Sequence, residues 1–203
     1  MFKYSKKALS FMLSPSYQSS KYSLFESLKI YYLGILLPLA LNIIIGIVAV
    51  HSGYSISASS YSIFSQFAEY LNINIGNAYL NYIANMLVIV FLLLPILSGL
   101  IGGSLLYFIT GKVVHIYDEY DTVVGPSILA SLPFSMFFWV VLLGSTLAGE
   151  ALALIISIWA LLVLIFGLAG QNDISAWKAL ASIIVEYVIW AGFVIMFFIM
   201  IGI

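Results

Sequence analysis

IWALLVLIFGLAGQNDISAWKALASIIVEYVIW, residues 158 to 190, decides what kind of molecule this chain makes. Two apolar runs meet here across a short polar interruption, GQNDISAW. A helix needs about 20 mostly apolar residues to cross ~30 Å of hydrocarbon. The runs at 151–169 and 179–201 both meet that requirement, and so few residues join them that they read as an antiparallel pair of membrane-spanning helices.

Working outward, three more stretches of this kind occur, at about 30–50, 83–110 and 124–143. The second is long enough to need tilt or a protruding end. Composition agrees: of the 203 residues 64% are hydrophobic and 7% charged, against about 45–50% and about 25% in soluble domains. The expected fold is therefore all-α, a polytopic bundle of five transmembrane helices with amphipathic interfacial helices. Residues 1–28 form a cytoplasmic amphipathic N-terminal arm and 29–203 a five-span membrane domain.

Lysine placement tests that count independently, because lysines near span ends stay on the cytoplasmic side during insertion. With the N-terminus inside, Lys3, Lys6, Lys7, Lys21 and Lys29 precede span one, Lys112 follows span two, and Lys178 lies between spans four and five. All seven fall inside. The outer loops, His51 to Tyr82 and Gly144 to Glu150, carry none, and the C-terminus at Ile203 is placed outside. The first run is too long, and begins too far from Met1, for the 7–15-residue core of a cleaved signal peptide.

The residue inventory excludes several chemistries. There is no cysteine, so disulfides and thiolate sites are ruled out. Arginine is absent as well, which removes bidentate clamps on phosphate and an arginine voltage sensor. A net charge of −1 gives no reason to invoke nucleic acid. His51 and His115 fall at opposite ends of their spans, about 30 Å apart, so they cannot act as a pair. No catalytic set, cofactor site or metal motif is found, and the chain reads as no enzyme.

Local patterns suggest details. MFKYSKKALSFML reads as a helix with Lys3, Lys6, Lys7 and Ser10 on one side and Leu9 and Met12 opposite, lying along the inner membrane surface. Ser23 and Glu26 have capping-box spacing, so the next helix should begin near Leu24. In the outer loop, YSIFSQFAEYL (61–71) has the spacing of a short interfacial helix. Asp173 or Ser175 suits an N-cap for span five.

Three constellations are candidate sites. In GKVVHIYDEYDTV (111–123), a helical wheel puts Ile116, Tyr117 and Tyr120 with three valines on one arc and His115, Asp118, Glu119 and Thr122 on the other. That is an interfacial helix with a candidate partner-docking face toward the cytosol. Glu186 lies about seven residues into span five, a depth at which an ionisable group is a functional candidate by default. Asn42 in span one is its expected partner by depth, with Asn85 the alternative. Gly99 and Gly103 in SGLIGGS (98–104) form a G-x-x-x-G, which lets helices approach closely within a bundle or between subunits.

Four stretches together resemble the Yip-domain family of Ypt/Rab-interacting integral membrane proteins, over most of the chain. They are LSPSYQSSKYSLFESLKIYYL (13–33), GKVVHIYDEYDTVVG (111–125), GPSILASLPF (125–134) and IWALLVLIFGLAGQNDISAWKAL (158–180). The last is the most specific, with Gly167 and Leu168 closing span four and Lys178 and Ala179 opening span five. The resemblance implies a five-helix bundle with a cytoplasmic N-terminus and a trafficking-like or membrane-shaping role. The N-terminal arm is short and lysine-bearing rather than long and acidic, so binding of Rab-type GTPases is not carried over. Low charge and absent arginine fit a prokaryotic, archaeal-type member. The leading expectation is a scaffold or membrane-organising protein whose partners are the lipid bilayer and a second copy or another membrane protein. The alternative is a small channel or transporter, or a subunit of one, using Glu186 and Asn42.

Overall fold

The computed structural model describes residues 2–15, 22–51, 94–143 and 146–200, and the regular structure among them is entirely helical. The elements are α1 (Phe2–Leu13), α2 (Leu24–His51), α3 (Leu94–Leu106) continuing as a π-helix (Tyr107–Val113), α4 (Asp121–Leu129), α5 (Leu132–Leu143), α6 (Thr146–Gln171) and α7 (Ala176–Met200). Most of the outer loop, including the interfacial helix expected at 61–71, lies outside the described residues. So do the first part of the expected second span and Asn85.

The hairpin read from residues 158 to 190 is present as α6 and α7. Its turn holds Asp173 in the left-handed region, at φ 52°. Ser175 is the N-cap, its Oγ accepting the Lys178 N–H at 3.4 Å. Among the described residues three helices are long and apolar enough to cross a bilayer, over Leu24–Leu41 of α2, Ala148–Gln171 of α6 and Ala176–Phe193 of α7.

The stretch expected to be one continuous span at 124–143 is instead two helices. The break at Ala130–Ser131 has a plain cause in Pro133. A proline offers no N–H to the carbonyl four residues back and its ring collides with that carbonyl, so Leu129 ends α4. At the break the Ile128 carbonyl accepts both the Ser131 backbone N–H (3.3 Å) and the Ser131 hydroxyl (2.6 Å).

Glycines set the close approaches. A Cβ on Gly99 would stand 2.5 Å from Ile128 Cγ1 and 2.8 Å from Ile128 Cα, and one on Gly103 would stand 2.9 Å from Val124 Cα. The G-x-x-x-G is therefore spent inside the bundle, seating α3 on α4. Gly34 does the same for α1 against α2, where a Cβ would lie 2.7 Å from Ala8 Cβ.

That last contact corrects the reading of the N-terminal arm. α1 is a helix as expected, and α2 begins at Leu24 with the Glu26 N–H on Ser23 Oγ at 3.3 Å. However, Leu9 and Met12, expected together opposite the lysines, part company in how α1 packs on the bundle. Ala8, Phe11 and Met12 are buried and Leu9 is exposed. The Trp159 indole N–H closes the end of α1 by donating to the Met12 carbonyl at 3.2 Å. Small Ala8 fits the groove at Gly34, and that fit rotates the helix from where hydrophobicity alone places it. Lys7 Nζ is 2.5 Å from Glu26 Oε1, and that hydrogen bond holds the ammonium above the usual lysine range. A partly exposed pair of this kind contributes about 0–1 kcal/mol.

Candidate functional site

Polar side chains collect at one end of the bundle and tie five chain segments together. The Tyr22 N–H, just before α2, donates to Gln171 Oε1 at the end of α6 (2.9 Å). Leu24 N–H, at the start of α2, donates to Asp121 Oδ2 at the start of α4 (3.2 Å). Asn172 exchanges two hydrogen bonds with Thr122, donating from Nδ2 to its carbonyl (3.0 Å) and accepting its hydroxyl on Oδ1 (2.6 Å). The start of α7 joins through Tyr117, whose hydroxyl is 2.5 Å from Ser182 Oγ. Orphan backbone groups at helix ends require such partners, and residues read only as a turn, Gln171 and Asn172, supply them.

The connection between the π-helix and α4 is the centre of this end, and it is not the amphipathic helix expected over 111–123. The helix stops because His115 adopts φ 57°, the left-handed position that Gly or Asn usually takes after a helix. The Ile116 N–H then folds back onto the Thr110 carbonyl at 2.8 Å. Gly111 makes the reversal possible, since a Cβ there would lie 3.0 Å from the Tyr117 carbonyl oxygen. From 115 to 119 the chain is non-helical, so a helical wheel misplaces its side chains.

His115, Asp118 and Glu119 are exposed, as expected of the candidate docking face, but they sit on an irregular segment rather than on one helical side. Thr122 does not belong with them. It is 1% exposed and bonded to Asn172 inside the bundle. Tyr117 is also displaced from its expected interfacial position: it is 2% exposed. Ser182 Oγ donates to the Ala179 carbonyl at 2.7 Å, so the Tyr117 hydroxyl must be the donor in their pair. Burial pushes the Tyr117 phenol up to about 12, with Ser182 opposing and the charge of Glu186 adding to the rise. Tyr120 packs edge-on to Tyr107 at 5.6 Å and meets Ser104 Oγ at 2.8 Å.

Glu186 lies one turn beyond Ser182 on α7 and is half-buried. Its Oε1 is 4.0 Å from where a Cβ on Gly102 would stand. The side chain of its expected partner, Asn42, lies outside the described residues. Near Glu186 stand Gly102 of α3 and, within electrostatic reach, the Tyr117 hydroxyl. Sequence reading missed Tyr117, Ser182, Gln171, Asn172 and Asp121; the polar cluster QND between two apolar runs was the one available signal.

Chemically, the Tyr117–Ser182 chain ends on a backbone carbonyl and contains no base. It pins the connection rather than moving a proton. Among the described residues no three His, Asp or Glu side chains gather closely enough to hold a metal ion. No family model matches the chain, and neither a curated protein nor a solved structure is found to match it.

Proposed function

We propose that this is a non-enzymatic integral membrane protein that acts as a scaffold or membrane-organising partner, in the manner its resemblance to the Yip family suggests. The observation that carries the reading is the pinned polar end. Five segments are locked by hydrogen bonds between side chains and backbone, and the locked connection presents His115, Asp118 and Glu119 outward. A rigid, polar, catalytically unequipped surface suits docking. In this reading the chain crosses the membrane five times, with the N-terminus and all lysines in the cytoplasm and the C-terminus outside. α3 with its π-helix, and α4 with α5, supply the second and third crossings in two pieces each.

Two measurements test it. The cysteine-free chain allows single cysteines to be placed at 118, 148 and 203. Labelling from outside the cell at 148 and 203 but not at 118 is the expected result, and labelling at 118 overturns the topology. Native mass spectrometry of the membrane fraction should then show a second polypeptide or a second copy bound. A bare monomer without any partner counts against the scaffold.

One observation favours a second reading, a small channel or transporter. Glu186 is half-buried in an apolar helix against a glycine, where an ionisable group has a cost that function normally justifies. Reconstituted protein would then carry an ion or proton flux that Glu186→Gln abolishes. The absence of any flux in the unaltered protein removes this reading.

A further inference from the structure

Three lysines at the polar end each have an exposed aromatic residue within one helical turn along the chain, Lys29 in ring contact with it, Lys112 over the neighbouring Tyr107 and Lys178 directly following it. On α2, Lys29 Nζ lies 4.3 Å from the ring centroid of Phe25, which is 67% exposed. On the π-helix, Lys112 lies 5.7 Å from the Tyr107 ring and four residues past Phe108, which is 63% exposed. At the start of α7, exposed Lys178 follows Trp177, the most exposed of these rings at 80%. The hydrogen bonds from Tyr22, Leu24, Tyr117 and Asn172 bring these helix ends to the same end of the bundle.

None of the three ammonium groups is neutralised. Among the described residues the one salt bridge is Lys7–Glu26, so no carboxylate comes within 4.0 Å of Lys29, Lys112 or Lys178. Of the acidic groups at this end, Glu26 serves Lys7 and Asp121 caps α2. Asp118, Glu119 and Asp173 are exposed on the two connections; the Asp118 backbone carbonyl accepts the Tyr107 hydroxyl at 3.4 Å beside Lys112, yet among the described residues none of these carboxylates pairs with the three lysines. Trp rings sit among lipid headgroups, Phe rings on an interfacial apolar face insert at the headgroup/acyl boundary, and lysine stems lie along apolar surface while the charge reaches the interface. An unpaired ammonium held beside such a ring meets the phosphate layer.

We propose that Phe25/Lys29, Phe108/Lys112 and Trp177/Lys178 form a belt of three contacts for anionic phospholipid headgroups in the leaflet at the lysine-bearing end. Each ring anchors in the boundary layer, and each lysine, a compact point charge, attracts the lipid's net negative charge. This needs only that the polar end lies at a membrane surface. It stands or falls separately from the scaffold and transport readings.

The test uses the full chain in mild detergent, titrated with phosphatidylglycerol and, separately, phosphatidylcholine, with native mass spectrometry counting bound lipids. A lysine near an anionic surface is worth about fivefold in affinity. The triple variant Lys29→Gln/Lys112→Gln/Lys178→Gln should therefore lose phosphatidylglycerol affinity by at least ~tenfold while phosphatidylcholine binding is unchanged. Lys3→Gln/Lys6→Gln, which lowers net charge on α1 rather than beside the three rings, should cost less per lysine removed than the triple variant does. Equal binding of the two lipids, or an equal loss per lysine in both variants, overturns the proposal. So does a native spectrum in which the intact chain carries a polypeptide that the triple variant lacks and no phosphatidylglycerol.

A second measurement does not depend on the triple variant folding. In vesicles containing brominated phosphatidylglycerol, the part of the tryptophan fluorescence absent from Trp177→Phe should be quenched more than in brominated phosphatidylcholine, and Lys178→Gln should erase the difference. Equal quenching by both lipids in the unaltered protein refutes the belt.

Discussion

Alanine at Gly99 and alanine at Gly102 should have opposite effects on stability, although the two glycines are less than one turn apart on α3. Both substitutions add the same methyl group, and both gain the same helix propensity, about 0.8–1.0 kcal/mol over glycine. The propensity term cancels in the comparison and leaves only what the methyl meets. At Gly99 it meets Ile128 Cγ1 at 2.5 Å, Cα at 2.8 Å and N at 2.9 Å; at Gly102, among the described residues, it meets nothing nearer than Glu186 Oε1 at 4.0 Å. The first set includes backbone atoms, so rotamer changes cannot relieve it and α3 must move away from α4. Overpacking of this kind costs about 1–3 kcal/mol. Gly102→Ala should therefore melt at or above the unaltered protein, and Gly99→Ala several degrees below Gly102→Ala, in the same detergent. Ile128→Ala should rescue Gly99→Ala only partly, because it removes Cγ1 but leaves Cα and N in place. Equal melting of the two glycine variants would refute intrachain seating of the G-x-x-x-G. A loss confined to oligomer content would move the motif to a subunit interface.

Tyr117→Phe removes the hydrogen bond to Ser182 without stranding the serine, which still donates to the Ala179 carbonyl. The cost should be about 0.5–1.5 kcal/mol, and amide exchange should speed up over 114–120 before it does elsewhere. The same phenol gives a pH signature. Its folded value is raised to about 12 from an unfolded value of about 10, so its contribution is fully present below about pH 10 and lost as pH rises through the folded value. Stability of the unaltered protein should fall over that window more than that of Tyr117→Phe, and parallel curves would contradict the burial. Ser27 Oγ is buried against Gly125 and finds no hydrogen-bond partner among the described residues. Ser27→Ala should then be neutral or stabilising by about 1 kcal/mol, and a clear drop in melting temperature would show a missed partner.

The class of molecule was legible in the chain because its cause is local and additive. Apolar runs of bilayer length and the short GQNDISAW connection each report on membrane and helix without reference to any distant residue. Two helix starts were legible for the same reason: Ser23 and Ser175 cap their own helices through contacts three residues away. Three helices long enough to cross a bilayer follow from this, while the break at Pro133 shows that hydrophobic length alone does not make one helix. What lay beyond the sequence depended on partners far along the chain. The buried side of α1 was decided by Ala8 meeting Gly34 and by Trp159 reaching Met12, a separation of 147 residues. The stretch 111–123 looked amphipathic because a wheel assumes one continuous helix, whereas His115 turns the chain at positive φ and Tyr117 is drawn 65 residues away to Ser182. Thr122 moved from the expected water-facing side into the bundle because Asn172 offers both a donor and an acceptor. Periodicity describes one helix against a featureless environment; only the folded bundle supplies the neighbours that choose which polar groups are satisfied inside and which remain outside to meet lipid or a partner.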